Sequence, residues 1–492
     1  MRFRCLVWPG LVWAYLACAC GGLPPEVKRA RDLLERGWYR DAERAADRAL
    51  DGYPGHPVLW RVKIQAAMGQ RDAQRAVALY KEWHTTRQPG PDSHDRVVLR
   101  RMALSTLWQG LRVPSGRVQA RTIQAIERLE IEKLARDVAD RITDDDDVVA
   151  AAAAVALLRS DFNAPRVATQ LLSSEVAEAR AIVIEGIGRK IRSAARGDLL
   201  PFLADPSPAA RLAAVRAVAA MNDDRDNARF IAMAERDGEG SIRAAALRVL
   251  ADSTRAWHRS ADRATAVAAA RRALSDHNSA ARLAAVAVLQ RHRDIEALRR
   301  VMQSNDLPSA LRAAAALHRA TAGDNRDRDR AGDRGQQAVF ALIDRALADL
   351  APAVRVAGIE ASVEVMPVTL TKKLSRGRLG DASDRVRLIA ARVLLRIGER
   401  GGATAALVTA LDSAEVDIRV EAATDLARLG HPRGLLALAE LCQSADDPAI
   451  RELAVRRHGD IDKLTMGLVT ALADSSPRVR VVAAETMLRV AD

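Results

Sequence analysis

The chain has 492 residues, of which 28 are Gly and 18 are Pro, fewer chain-breaking residues than average usage would give. Apolar residues make up 49% and aromatic residues only 3%. This composition excludes a disordered chain, and it disfavours strand-rich folds, which use β-branched and aromatic residues together. No uninterrupted apolar run approaches the roughly 20 residues of a membrane-spanning helix, so a polytopic membrane protein is also excluded.

The formal net charge is +13, from 76 basic and 63 acidic residues. Such a charge is found in proteins that bind nucleic acids or anionic membranes. However, only eight of the basic residues are Lys, and the arginines are interspersed with Asp and Glu along the whole chain. A GC-rich genome produces the same Ala and Arg enrichment. The pattern therefore favours solvated helix faces of mixed sign over a surface evolved for polyanions.

The first residues have the pattern of a bacterial export signal. Met1–Arg4 carries two positive charges, Cys5–Leu16 is a short apolar stretch, and the small residues Ala17–Gly22 follow. Small residues before a cysteine resemble the lipobox of bacterial lipoproteins, a family in which that cysteine becomes the acylated N-terminus. The resemblance implies lipid attachment at Cys20, with Cys18 as the alternative acceptor. Cleavage without lipid is a further possibility.

The predicted organisation is thus a signal peptide over residues 1–19 and a tether over residues 20–25. The implied location is the bacterial cell envelope, as a membrane-anchored lipoprotein of the outer membrane that faces the periplasm. After processing at Cys20, Cys442 is the one remaining thiol, so no intramolecular disulfide is possible. The apolar helical context of Cys442 predicts a small core residue and not a nucleophile.

Residues 26–90 contain a helical pair with a distinctive pattern. Gly37–Ala42, Ala49–Leu50 and Pro54 resemble the second half of a tetratricopeptide unit, and Gly69 repeats Gly37 after 32 residues. The aromatic residues concentrated here favour the sealing of a small two-repeat unit over a peptide-binding groove. They are Trp38, Tyr39, Tyr53, Trp60, Tyr80 and Trp83. Residues 91–109 are predicted to be a linker or helix.

Residues 110–492 repeat one pattern: an apolar helix, Asp, five residues, Arg, and a second Ala-rich helix. The repeat arginines are Arg180, Arg211, Arg243, Arg282, Arg312, Arg355, Arg387, Arg419, Arg451 and Arg480. Asp stands six residues earlier in seven repeats, at Asp205, Asp237, Asp276, Asp306, Asp349, Asp381 and Asp474. A small residue stands three residues later in nine repeats, at Ala214, Ala246, Ala285, Ala315, Gly358, Ala390, Ala422, Ala454 and Ala483.

Each regular position has a physical reason. The Asp can accept backbone N–H bonds that open the turn or the second helix. Arg at a helix start opposes the macrodipole, so its recurrence predicts pairing with the Asp of its own or a neighbouring repeat. The small residue allows close helix packing. Two longer spacings between repeat arginines predict insertions at residues 252–258 and 324–330.

This pattern resembles the HEAT-repeat family, in its short bacterial form of about 31 residues. Leu203–Asp205 with Arg211 and Ala214 is its most specific occurrence. Weaker copies at Val118–Gln119 and Val148–Val149 bring the predicted number to about 12. The expected fold is all-α, a right-handed α-solenoid of HEAT-like hairpins with a tetratricopeptide-like N-terminal region.

Recognisable catalytic motifs are missing from the sequence: it has no His-Glu-x-x-His, no glycine-rich phosphate loop and no Gly-x-Ser-x-Gly. Asp144–Asp147 favours an acidic helix N-terminus over a cation site, and His292 and His458 are expected on the surface. The one candidate binding surface places an arginine five residues after the repeat Arg. Its members are Arg216, Arg248, Arg392 and Arg456.

We therefore expect a non-enzymatic scaffold for protein–protein interactions, lipid-anchored in the envelope, whose protein partner the sequence leaves open. No cofactor, metal, nucleic acid or small-molecule substrate is expected. Two alternatives follow from the HEAT resemblance: a nucleic-acid-binding protein, and an enzyme like the bilin lyases.

Overall fold

The computed structural model describes residues 23–87, 94–252, 254, 257, 260–321 and 332–491. All regular structure in these residues is helical, which confirms the predicted all-α class. The predicted lipid acceptors Cys18 and Cys20 and the predicted insertion at residues 324–330 lie outside the described residues. Among the described helices, none combines the length and the apolar character needed to cross a membrane.

The described residues form 28 α-helices, numbered in chain order: α1 Pro25–Glu35, α2 Tyr39–Gly52, α3 Pro57–Gly69, α4 Ala73–Thr86, α5 Arg96–Gly110, α6 Gly116–Arg128, α7 Ala135–Ala139, α8 Asp147–Leu157, α9 Ala164–Leu171, α10 Ala177–Lys190, α11 Arg196–Leu199, α12 Pro208–Ala220, α13 Asn227–Arg236, α14 Gly240–Ala251, α15 Ser260–Ala273, α16 Ser279–Arg291, α17 Ile295–Met302, α18 Leu307–Thr321, α19 Gly332–Leu347, α20 Pro352–Val365, α21 Val368–Gly377, α22 Asp384–Arg396, α23 Gly401–Ala410, α24 Val416–Arg428, α25 Pro432–Ser444, α26 Pro448–Gly459, α27 Met466–Ala471 and α28 Pro477–Ala491. Short 3₁₀ turns cover Glu132–Leu134, Arg192–Ala195, Leu200–Ala204, Asp224–Asp226 and Arg378–Gly380.

The helices divide into two compact units. The terminal unit combines the residues up to Val113 with those from Leu438 onward, and the central unit is Pro114–Ala437. The terminal unit therefore contains α1–α5 and α26–α28 with the end of α25. The central unit contains α6–α24 and the start of α25.

The central unit is a stack of helical hairpins. Its second helices, α6, α8, α10 and every second helix up to α24, each pack against the next one in the row. The small residues at the third position after the repeat arginines are buried in both units. A Cβ on Gly188 would lie 2.5 Å from that of Ala217, so α10 and α12 approach each other closely. These stacked hairpins make the arrangement an α-solenoid, as the repeats predicted.

Helix ends follow local chemistry. Side chains of Asp or Asn cap several helices; Asp146, for example, accepts the N–H of Val148 at 2.9 Å at the start of α8. The run Asp144–Asp147 thus forms the predicted acidic helix N-terminus. A residue with positive φ ends several second helices, such as Asn222 (φ 54°) after α12 and Gly398 (φ 83°) after α22. These left-handed residues end the helix and turn the chain toward the next hairpin.

The terminal unit joins distant parts of the sequence. Helices α1–α4 pack in sequence as hairpins, while α5 packs against α28 and α4 contacts α27. Trp60, Tyr80 and Trp83 are buried in this unit, whereas Trp38 is 54% exposed. The buried rings fill space that alanines could not occupy. Helix α5 occupies most of the segment that the sequence assigned to a linker or helix.

Candidate interaction surface

The repeat arginines and aspartates form a series of ion pairs between neighbouring repeats, called the Arg–Asp ladder below. Arg211 in α12 donates from Nε and Nη2 to the two carboxylate oxygens of Asp237, at 2.8 and 2.9 Å. Its Nη1 donates to the carbonyl oxygens of Asp205 and Pro206 in its own turn. The same two-oxygen pairing occurs in Arg180–Asp205, Arg243–Asp276, Arg355–Asp381 and Arg451–Asp474. The predicted pairing is confirmed, and the carboxylate comes from the following repeat.

Each ladder aspartate also accepts a hydrogen bond within its own turn. Asp205 accepts the N–H of Ser207 at 2.8 Å, and Asp276 that of Asn278 at 2.8 Å. The Arg243 guanidinium lowers the pKa of Asp276 despite its burial. Burial alone would raise the pKa of Asp205, but hydrogen bonds from Arg180 and Ser207 outweigh it, and the pKa is lowered. The charged carboxylates are therefore stabilised by partners that fix the position of one repeat on the next.

Serine replaces the ladder aspartate in two repeats of the central unit. The Ser174 hydroxyl donates to Asp147 and the Ser413 hydroxyl to Asp384, in each case a carboxylate of the preceding second helix. Where Ser413 stands in place of Asp, Arg387 pairs with Asp384 in its own helix. A hydrogen bond still joins the two repeats, but the later repeat now supplies the donor and the earlier repeat supplies the carboxylate acceptor. This substitution was not predicted from the sequence, although Ser at the Asp position was a visible signal.

The ladder arginines Arg419 and Arg480 bond to backbone carbonyls of their own turns. Arg419 donates through Nη1 to the carbonyl oxygens of Ser413 and Ala414. Within the described residues no carboxylate pairs with it, and Ala445 stands at the next aspartate position. Arg480 in the last helix donates likewise to the carbonyls of Asp474 and Ser475. Burial lowers the pKa of Arg480.

The predicted arginine surface lies on second helices in both units. Arg216 in α12 pairs with Glu185 in α10, Nη1 to Oε1, at 3.1 Å, and both side chains are largely exposed. Arg248 in α14 is exposed. These two lie in successive repeats of the central unit. The Arg216–Glu185 pair therefore gives this stretch mixed charge.

Arg392 lies in a denser network between α22 and α24. It donates to Asp425 and, at 2.6 Å, to Glu421, while Arg385 donates to Asp417 and, at 2.8 Å, to Glu421. The three acids follow each other at four-residue intervals on α24, and the two arginines lie along α22. Burial would raise the pKa of Glu421, but both arginines outweigh it, and the pKa is lowered.

Arg456 belongs to the terminal unit. Its Nη2 lies 2.9 Å from Glu452 in the same helix, and Glu452 also pairs with Arg478 of α28 at 3.0 Å. Among the four predicted arginines, Arg216, Arg392 and Arg456 thus have a carboxylate partner. In each unit, the predicted arginines therefore lie in surroundings of mixed charge.

A buried polar cluster in the terminal unit has the residue types of a thiol-dependent active site. The Cys442 Sγ lies 3.6 Å from His458 Nδ1, and Thr465 Oγ1 lies 2.7 Å from His458 Nε2. His458 Nδ1 is also 3.2 Å from the carbonyl oxygen of Ala454, which can only accept a hydrogen bond. The proton is therefore assigned to Nδ1, and the Thr465 hydroxyl donates to Nε2.

This arrangement does not activate the thiol. The free lone pair of the imidazole points at Thr465 and away from Cys442, so His458 cannot take the thiol proton. Burial raises the pKa of Cys442 and lowers that of His458, so a thiolate–imidazolium pair is disfavoured. Cys442 is the buried core residue that the sequence predicted. Among the described residues, no group of His, Cys, Asp and Glu has metal-binding geometry.

The surface position expected for His458 is wrong, because the side chain is fully buried. Its neighbours Arg456 and Arg457 suggested a surface residue. Its spacing from Arg451 and Ala454 instead places it on the buried stripe of α26. His292 is partly buried, with its ring 4.6 Å from that of Trp257. Helical spacing was the signal that could have located His458.

Comparison with known protein families identifies HEAT repeats at residues 164–251 and 371–457. Solved structures also match the chain, with low TM-scores. E. coli YibA is 15% identical and covers 62% of this chain and 96% of its own, with a TM-score of 0.28. Kap121p bound to Pho4p is 12% identical and covers 89% of this chain and 53% of its own, with a TM-score of 0.36. A comparison with curated proteins gave no match.

Proposed function

We propose that this chain is a non-enzymatic scaffold for protein–protein interactions, anchored in the bacterial cell envelope by a lipid on its N-terminal cysteine. The observation that carries the proposal is an export-type leader, ending in Ala17–Cys20, in front of a solenoid of HEAT repeats. Stacked helix pairs present long rows of side chains and suit the binding of other proteins. The lipid holds this surface at a membrane, facing the periplasm.

The N-terminal helices are proposed to form a tetratricopeptide-like pair. Gly37, after α1, has a φ of 77°, which a glycine adopts without strain. Ala45 and Ala46 are buried on α2, which packs against both α1 and α3. A glycine turn and a small-residue interface are the features that the sequence resemblance implies.

The charge distribution supports a protein partner over a nucleic acid. A polyanion binds where lysines and arginines are available for phosphates. Arg216, Arg392 and Arg456 are each engaged by a carboxylate, and the acids beside them would repel phosphates. A salt-sensitive mobility shift with duplex DNA at physiological ionic strength would instead favour the nucleic-acid alternative.

The anchoring is tested by labelling growing cells with radioactive palmitate. We expect label in the wild-type protein and in the Cys18→Ala variant, and none in Cys20→Ala. Cys5→Ala is the matched control, because it removes a leader cysteine outside the proposed acceptor site. Label retained in Cys20→Ala but lost in Cys18→Ala would move the acceptor to Cys18. Label retained in both variants would refute Cys20 as the one acceptor, and an unlabelled or cytosolic wild-type protein would refute the anchoring.

The scaffold function is tested by cross-linking in intact cells, followed by mass spectrometry of the captured protein. We expect a specific envelope protein with the wild-type chain and a reduced yield with Cys20→Ala, since the lipid raises local concentration at the membrane. Purified protein that turns over a substrate, or a captured pigment, would favour the enzyme alternative.

A further inference from the structure

A cleft of about 560 Å³ opens within the terminal unit, between α4 and the ends of α25 and α27. Its size is within the range of about 300–1,000 Å³ that is usual for small-ligand sites. One wall is formed by Gln74, Val77, Ala78 and Lys81 of α4. The opposite wall is formed by residues 442–446 and by residues around Thr470 and Asp474.

The wall opposite α4 is rich in hydrogen-bond acceptors. The hydroxyls of Ser444 and Thr470 donate to the carbonyl oxygens of Glu440 and Met466, each at 2.8 Å, so their free positions are lone pairs. Helix α25 ends at Ser444, and a helix C-terminus carries partial negative charge. The carboxylate of Asp446, an exposed residue, adds to it. This wall therefore favours N–H donors.

The ladder closes the cleft at its base. Arg451 pairs with Asp474 through Nε and Nη2, at 2.7 and 3.0 Å, and both side chains are more than nine-tenths buried. Arg451 also donates through Nη1 to the carbonyl oxygens of Ala445 and Asp446. These bonds neutralise the two buried charges and hold the acceptor wall in place.

The α4 wall has the opposite character. Lys81 brings an ammonium group, and within the described residues no carboxylate pairs with it. Gln74 contributes an amide, and Val77 and Ala78 form a small apolar patch between them. A ligand that fits both walls must present N–H groups on one side and a carboxylate on the other.

We propose that this cleft binds an extended peptide segment that carries a carboxylate. Its backbone N–H groups donate to the oxygens of Ser444 and Thr470, its small side chains cover Val77 and Ala78, and its carboxylate pairs with Lys81. A phosphate-rich ligand fits poorly, because the acceptor wall and Asp446 repel it. The inference rests on the proposed interaction function and names the chemistry of one partner segment, and it does not depend on the lipid.

The test uses the purified full chain and randomised decapeptides in two forms, with a free C-terminal carboxylate or a C-terminal amide. Enriched peptides are fluorescein-labelled, and their Kd is measured by anisotropy. We expect Lys81→Gln to weaken binding about fivefold and Lys81→Arg to retain it. The matched control is Lys28→Gln, which removes an exposed lysine of the terminal unit outside the cleft and should leave Kd unchanged.

The two libraries distinguish the sources of the carboxylate. Enrichment only among free carboxylates assigns it to a chain end, whereas Asp or Glu enriched among amidated peptides assigns it to a side chain. Ala78→Trp, which fills the cleft, should abolish either kind of binding while circular dichroism stays unchanged.

Two results would overturn the inference: no enriched peptide, or a Kd that is the same for wild type, Lys81→Gln and Ala78→Trp. A cellular partner that all cleft variants still capture would keep the scaffold function and place its binding surface elsewhere.

Discussion

The two compact units hold their helices together in different ways. In the central unit, alanines and branched aliphatic residues fill the space between second helices, and the Arg–Asp ladder connects one repeat to the next. In the terminal unit, large rings such as Trp83 and Tyr80 fill the core among α1–α5. Besides the ladder pair Arg451–Asp474, it contains ion pairs outside the ladder, such as that between Arg61 and Asp95 at 2.7 Å. When one ladder pair is lost, the ladder pairs of the neighbouring repeats are still in place. When an ion pair that occurs only once is lost, no equivalent pair remains.

The two units also differ in how far along the sequence their contacts reach. Each hairpin of the central unit contacts the next hairpin. The stability of this unit is therefore expected to be a sum of contributions from single repeats and from the interfaces between neighbouring repeats. In the terminal unit, α5 packs against α28. Closing such a distant contact costs chain entropy, which core packing has to offset. The terminal unit should therefore unfold as one cooperative unit, whereas the central unit should unfold repeat by repeat.

The largest expected effect comes from removing a ring of the terminal unit. Trp83→Ala should cost about 3–5 kcal/mol of unfolding free energy, because it leaves a cavity in a fully buried site. Hydrogen exchange read peptide by peptide should rise in α1–α5 and α26–α28 together. The exposed Trp38→Ala is the control and should change stability little. Exchange that rises in α4 alone would contradict the cooperative behaviour of this unit.

Breaking one ladder pair of the central unit should cost somewhat less. Arg211→Ala leaves the Asp237 carboxylate and two carbonyl oxygens without their partner, for an expected loss of about 3 kcal/mol. Arg419→Ala is the matched control, because Arg419 makes the two carbonyl bonds but has no carboxylate partner among the described residues. Its loss should be about 1 kcal/mol. Equal losses by urea denaturation would show that the carboxylate pairing adds nothing.

The ladder illustrates how much the sequence could predict. Spacing alone showed that each repeat has an Asp and an Arg at fixed positions, as Asp205 and Arg211 do in one of them. The unfavourable position of Arg at a helix start then predicted an acidic partner. Helical periodicity also identified the buried stripe, including Cys442. Periodicity could not show which helices pack against each other, so the contact of α5 with α28 was not predicted. The cleft likewise lies between helices that are far apart in the sequence, and therefore none of its residues was predicted as a site.

Acidification should test one buried histidine in each unit. Burial lowers the pKa of His458, and burial with Arg263 and Arg291 lowers that of His292 to about 4. Each is neutral when folded, while the unfolded chain takes up a proton near pH 6.5. Stability is thus complete above pH 6.5 and falls as the pH drops toward the folded pKa, by up to about 1.4 kcal/mol per pH unit and histidine.

Unfolding of wild type, His458→Gln and His292→Gln is then compared at pH 7 and pH 5. His458→Gln should remove the acid sensitivity of the terminal unit, and His292→Gln that of the central unit, as followed by hydrogen exchange. Each variant is the control of the other. Acid sensitivity that persists unchanged in both variants would assign the effect to other groups.

The smallest expected effect concerns the arginines of the second-helix surface. Arg216 and Glu185 are 64% and 45% exposed, so Arg216→Ala should change the unfolding free energy by no more than about 0.5 kcal/mol. Arg392 is less exposed and joins two carboxylates of α24, so Arg392→Ala should cost more, about 1–2 kcal/mol. Urea denaturation at low and high salt distinguishes the two, because added salt should erase the exposed pair first. A larger loss for Arg216→Ala would mean that this part of the surface is structural. A small loss of unfolding free energy would mean that the Arg216–Glu185 pair is weak. A protein partner could then bind Arg216 by breaking only this one weak ion pair.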